Sequence, residues 1–164
     1  MTRIGIGYDI HRFEAGRRLV LGGVEFEGET GLVGHSDADV LVHAVIDAVL
    51  GAAALGDMGL HFPPDNPAYA GADSIELLRH ATSLVRDTGY EVESVDSTVI
   101  AERPRLSEHI PAMRARMAAA LGVDTGRVNV KAKTSEGIGA VGRGEGIAAL
   151  AVALLAEGEA GGRT

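Results

Sequence analysis

In the segment GYDIHRF, residues 7–13, Asp9 and His11 stand one residue apart inside an apolar run. In an extended strand, side chains at i and i+2 share a face and lie roughly 6–7 Å apart. A carboxylate and an imidazole so placed can ligate one metal ion. His43, in the apolar context VLVHAVI, offers a third donor. An Asp-His-His set leaves a fourth position for water or substrate, which suits catalytic zinc. His35, Asp39, His43 and Asp47 recur every fourth residue. On a helix they form one stripe, so the carboxylates are placed to orient His43. A plainer reading fits the same residues: Asp9 pairs with a histidine or with Arg3, and His43 is a satisfied core histidine. Spacing alone leaves both open.

Further along, VKAKTSEG brings Lys131, Lys133, Thr134, Ser135 and Glu136 to the end of an alternating segment. Hydroxyls, an amine and a carboxylate together suit a phosphate with a hard cation, and equally a solvated strand end. GIGAVG, residues 137–142, matches the dinucleotide pattern, but only 22 residues follow it. That is too few for the helix, strand and acidic residue of a Rossmann unit. The alternatives are a loop whose amides face an anion, helped by Arg143, or a tight turn. Arg103 and Arg105 flank Pro104 in a rigid exposed turn that suits a phosphate or base contact, or only a soluble surface.

These residues need a scaffold, and 164 residues allow one domain with a sizeable core. Aromatics are only 4% of the chain, so Ala, Val, Leu and Ile must fill that core. The net charge of −8 argues against non-specific binding to nucleic acid or anionic membrane. It also means that an anionic substrate requires metal ions, amides or a local basic patch. With no cysteine, disulfides, thiolate metal sites and a cysteine nucleophile are excluded, so any metal rests on His, Asp and Glu. The first residues lack a signal peptide's apolar segment, and the default expectation is a soluble cytoplasmic protein.

Residues 3–11 alternate as a strand, with Ile4, Ile6, Tyr8 and Ile10 on one side. LVLGGVEFEG reads as a hairpin turning at Gly22-Gly23. A largely buried helix follows from SDADVLVHAVIDAVLGAAALG, with Ser36 as N-cap and Asp39 completing a capping-box pattern. Residues 56–72, rich in Pro and Gly, form a long functional or mobile loop. Asp73 caps the next helix, which stops at Gly89. The rest reads as strand 90–102, a helix ending at Gly122, strand 127–133 and a last helix over about 145–156. Residues 158–164 read as a disordered tail, leaving one domain over 1–157. The fold class expected is α+β, a mixed sheet with helices packed on one face.

RIGIGYDIHRF, LVLGGV, GHSDADVLVHAVIDAVLGAAALGDMGLHFP, GADSIELLR, VDSTVIAERPRL, VNVKAKTSEGIG and GRGEGIAALAVALL resemble, in order, the 2-C-methyl-D-erythritol 2,4-cyclodiphosphate synthase family. The resemblance implies a homotrimer with active sites between subunits. It implies conversion of 4-diphosphocytidyl-2-C-methyl-D-erythritol 2-phosphate to the cyclic diphosphate and CMP, in the non-mevalonate isoprenoid pathway. The family's zinc ligands fall on Asp9, His11 and His43, and its magnesium or manganese ligand on Glu136. His35 and Ser36 match the pair that positions substrate, and Thr134 the residue that aligns the diphosphate. Asp57, Met58 and Gly59 match methylerythritol contacts, and Phe62, Pro63, Pro64, Asp65 and Asn66 a mobile flap. Cytidine contacts match Ala101, Pro104, Arg105, Leu106, Ala132, Lys133 and Ser135. Ala140, Arg143 and Glu145 match positions near the trimer axis. Lys133 and Ser135 replace threonines common in the family, and Ala140 replaces an aromatic. A nucleotide-binding module without turnover and a zinc phosphoesterase are the other classes these residues admit; a hydrolase would release a linear phosphate.

Overall fold

The computed structural model describes residues 1–158. The elements are β1 (Thr2–Glu14), β2 (Leu19–Leu21), β3 (Val24–Phe26), β4 (Gly31–Leu32), α1 (Val40–Ala52) and α2 (Met58–His61), then α3 (Ser74–Asp87), β5 (Tyr90–Ile100), α4 (Ile110–Leu121), β6 (Val128–Lys133), α5 (Gly139–Gly142) and β7 (Gly146–Glu157). Five strands form one mixed sheet in the order β4-β1-β7-β5-β6, while β2 and β3 make a separate hairpin. Only β5 and β6 pair in parallel; the other neighbours are antiparallel. Helices α1, α3 and α4 cover one face, as expected of an α+β layer.

The last element corrects the helix expected over 145–156: it is β7, at the centre of the sheet. Its run GIAALAVALLAE is rich in alanine, a strong helix former, and both of its faces are apolar, so hydrophobicity hides the period of two. Side-chain size carries the pattern instead. Ala149, Ala151 and Ala153 are buried toward α1, while Leu150, Val152 and Leu154 point away.

β1 repeats this division. Gly5 and Gly7 lie opposite Ala153 and Ala151, and Asp9 lies opposite Ala149. The two glycines and three alanines leave little side-chain bulk under α1. A Cβ on Gly5 would fall 2.1 Å from the Ala48 carbonyl oxygen, and one on Gly7 1.8 Å from that of Ala44. Close seating of α1 on β1 therefore depends on both glycines. The opposite face carries Ile4 and Ile6, 71% and 70% exposed, beside Val152 and Leu154.

Helix α1 begins later than expected. Its N-cap is Asp39, not Ser36, because the Asp39 carboxylate accepts from the Val42 amide. The same buried carboxylate accepts from the amides of Gly22 and Gly23 and from the Ser74 hydroxyl. One side chain thus ties the hairpin turn, the start of α1 and the start of α3. Burial, with the Asp37 charge adding and the Gly23 and Val42 amides opposing, pushes Asp39 up to about 6. Asp73 caps α3 and Gly122 ends α4 in the left-handed conformation, both as expected. The long 56–72 segment contains α2 and a single 3-10 turn at Pro67–Tyr69. The expected tail falls almost wholly on residues 159–164, outside the described residues. Among the described residues, no helix is long and apolar enough to cross a membrane.

Candidate metal centre and nucleotide cavity

Asp9 and His11 leave β1 on the same face as Gly5 and Gly7, where α1 sits closest. His43, one turn into α1, reaches down to meet them. The Asp9 Oδ2 lies 2.8 Å from His11 Nε2 and 3.0 Å from His43 Nδ1. The two histidine nitrogens are 3.4 Å apart. Each residue offers one ligand atom, all within 4.8 Å of one another, a group able to hold a metal ion.

The outer nitrogens are also committed. His11 Nδ1–H donates to the Val33 carbonyl, which leaves the Nε2 lone pair facing the cluster. His43 Nε2 faces the Ser36 hydroxyl at 3.1 Å, which frees Nδ1 toward Asp9. Metal-ligating histidines are oriented in this way, with the second ring nitrogen held by a polar partner. The donor set therefore fits a zinc ion. Burial works to raise the Asp9 carboxyl, but hydrogen bonds and charge from His11 and His43 outweigh it and hold it far below the usual carboxylate range. Burial works to lower His11, but Asp9 and the Val33 carbonyl outweigh it and raise it.

The stripe expected along the helix is only half formed. His35 and Asp39 precede α1, so only His43 and Asp47 are on it. Neither carboxylate orients His43. Asp39 holds backbone amides, and Asp47 Oδ1 accepts from the Met58 amide at 2.7 Å. Ser36, expected as a helix cap, takes the orienting role instead. Burial, opposed by the Met58 amide and helped by the charges of Asp57 and Asp9, raises Asp47.

A cavity of about 240 Å³ opens over the triad. It gathers His35, Ser36, Met58, Gly59, Phe62 and Pro64 around Asp9, His11 and His43. Asp47, Tyr69 and Leu77 also line it, though sequence reading gave them no substrate role. His35 Nε2 meets the Asn66 carbonyl at 3.2 Å, so the exposed imidazole touches the flap. Asp57 caps α2 through the Leu60 amide. Pro63 is half-buried and Asp65 exposed, and neither lines the cavity. Phe62, expected in the flap, is buried and packed edge-on by Tyr69 and His80. These contacts anchor one end of the loop to α3.

A second cavity, about 480 Å³, is lined by Ala101, Pro104, Arg105, Leu106, Ala132, Lys133 and Thr134, with Glu102 and Ser107. All the expected cytidine contacts meet there except Ser135, which lies just outside the lining. Thr134 Oγ1 donates to Glu136 Oε1 at 2.5 Å. The two cavities share no residue. A third, about 360 Å³, includes Ala140, Arg12 and Glu145, while Arg143 pairs with Glu145 at 2.7 Å.

The YgbB family model matches residues 2–156. A 2-C-methyl-D-erythritol 2,4-cyclodiphosphate synthase of Geotalea daltonii is 58% identical over 153 residues, 93% of this chain and 90% of that protein. The bifunctional IspDF of Campylobacter jejuni superposes with a TM-score of 0.92 at 41% identity, covering 96% of this chain but 42% of that longer one. A CDP complex of the Plasmodium falciparum IspF superposes at 0.83 with 32% identity, over 96% of this chain and 97% of that one.

Proposed function

Since the chain belongs to the YgbB family of 2-C-methyl-D-erythritol 2,4-cyclodiphosphate synthases, we propose how its residues carry out that reaction. It is a cyclodiphosphate synthase of isoprenoid biosynthesis. The substrate is 4-diphosphocytidyl-2-C-methyl-D-erythritol 2-phosphate. Its 2-phosphate oxygen attacks the β-phosphorus, the bond from that phosphorus to the bridging oxygen breaks, and CMP leaves with the electron pair. The nucleophile is already an anion, so no strong general base is needed. The protein's part is positioning and charge neutralisation. The observation that carries this reading is the convergent triad Asp9, His11 and His43 at the floor of a cavity.

Zinc on Asp9, His11 and His43, with magnesium or manganese on Glu136, would supply Lewis-acid polarisation and neutralise the diphosphate when bound. His35 and Ser36 position the 2-phosphate end, beside the triad. Asp57, Met58 and Gly59 hold the methylerythritol part. Pro63, Pro64, Asp65 and Asn66 close over it from the base fixed by Phe62, and exclude water. The walls of the larger cavity, Ala101, Pro104, Arg105, Leu106, Ala132 and Lys133, receive cytidine, with Ser135 beside them. Thr134 aligns the diphosphate.

One substrate molecule must span both sets of residues, yet within one chain their cavities are separate. This supports a homotrimer, with the triad of one subunit facing the nucleotide cavity of its neighbour. The exposed apolar face of β1 and β7 is the surface that assembly would cover, with Ala140, Arg143 and Glu145 near the axis. Residues 1–157 are the domain that does this.

CMP release from the cytidylyl substrate tests the assignment. Thr134→Ala is expected to lower kcat by about 10²-fold with zinc retained, as for removal of one positioning donor. Wild-type turnover by that variant would remove Thr134 from the machinery.

A further inference from the structure

Between Thr134 and Gly137 the chain makes a conformation that needs support. Glu136 has φ +52°, in the left-handed region a non-glycine residue seldom occupies. Gly137 follows with φ +74°. Successive residues of this kind turn their amides toward one side and form a concavity that binds anions. The anion in it is the chain's own. Glu102 Oε1 accepts from the Ser135 amide at 2.8 Å and, more weakly, from the Gly137 amide at 3.5 Å. Those amides flank Glu136 on either side. Glu102 itself lines the nucleotide cavity, beside Ala101 and Pro104. The loop over 137–142, expected to present amides to an anion, thus gives its first amide, that of Gly137, to Glu102, and Ser135 just before it does the same.

The consequence concerns Glu136. Its carboxylate accepts from Thr134 Oγ1, and its amide lies 3.4 Å from the same hydroxyl. The direction of both side chains depends on the backbone between them, which packing does little to hold, since these residues are largely exposed. We infer that Glu102 is a positioning residue: by gripping the Ser135 and Gly137 amides it fixes the Glu136 carboxylate and the Thr134 hydroxyl where a cation on a nucleoside diphosphate can use them. This rests on the reading of Glu136 given above. It assigns Glu102 no contact with the reacting atoms. What the grip requires is an acceptor oxygen, not a charge.

Two substitutions separate these roles. Glu102→Ala removes the acceptor; Glu102→Gln keeps an acceptor oxygen and removes the charge. The readout is Mn²⁺ affinity in the presence of CDP, followed by electron paramagnetic resonance, with zinc content measured in parallel. Glu102→Ala is expected to weaken Mn²⁺ binding about tenfold, the effect of losing one hydrogen bond. Its zinc content should equal that of the wild type. Glu102→Gln should recover most of the loss. Equal Mn²⁺ affinity in Glu102→Ala and wild type overturns the inference alone. Equal weakness in Glu102→Gln and Glu102→Ala also overturns it, by making the charge the operative feature. Wild-type protein that binds no Mn²⁺ with CDP overturns the reading of Glu136 and the inference with it.

Discussion

His43 meets Asp9 and His11 through Nδ1 because its other nitrogen is occupied by Ser36. His43→Ala should lose bound zinc altogether; full occupancy by metal analysis would exclude this residue as a ligand. Ser36→Ala should keep the triad but weaken zinc about 10- to 100-fold, as loss of an orienting partner does, measurable by competition with a chromophoric chelator. Protons and metal compete for the same lone pairs. In the metal-free protein His11 is raised, so its contribution is complete below its ordinary value and fades as pH climbs through the raised one. Asp9 is depressed, so its contribution is present above its ordinary value and fades as pH falls toward the lowered one. The pair should stabilise the metal-free protein most between about pH 4 and pH 6.5. Urea midpoints across pH in chelator should show that window, and zinc should move the optimum upward. Asp9, His11 and His43 stood out in the sequence because a period of two and an apolar helix bring out polar residues that do not belong to a core, though spacing alone left their role open. Ser36 as the orienting partner was not legible. It depends on a bend between β4 and α1 that leaves no periodic trace.

The elements place these side chains through close packing rather than through loops. Gly5 and Gly7 let α1 sit against β1, and His43 then lands over Asp9 and His11. Gly7→Ala should push the helix away, because the new methyl meets the Ala44 carbonyl oxygen. A loss of about 1–3 kcal/mol is expected from overpacking, together with weaker zinc binding. Differential scanning calorimetry with and without zinc would show both; an unchanged midpoint would mean that the helix can yield. Asp39→Ala should cost about 3 kcal/mol or more, since three amides and a hydroxyl lose their acceptor in the interior. Asp39 runs opposite to Asp9 in pH. Raised to about 6, it favours the folded state most below its ordinary value, and that share is lost as pH climbs through the raised one. The element misread was β7. Its alanines match the glycines of β1 across the ladder, a relation between distant segments that local propensity cannot register.

At the scale of the whole molecule, two features stay unsatisfied in a single chain. One sheet face presents Ile4, Ile6, Tyr8 and Ile10 beside Leu150, Val152 and Leu154, and patches of this kind mark interfaces. The triad and the nucleotide cavity are separate. The proposed trimer would resolve both. Ile6→Asp combined with Val152→Asp should give a monomeric mass by light scattering, with zinc retained and turnover lost. A trimer in that variant would place the interface elsewhere. Phosphorus NMR of the protein with the cytidylyl substrate, zinc and magnesium tests metal-dependent cyclisation. The cyclic diphosphate and CMP should appear in equal amounts, and chelator should abolish both. A linear phosphate product, or cyclisation that persists in chelator, would contradict it.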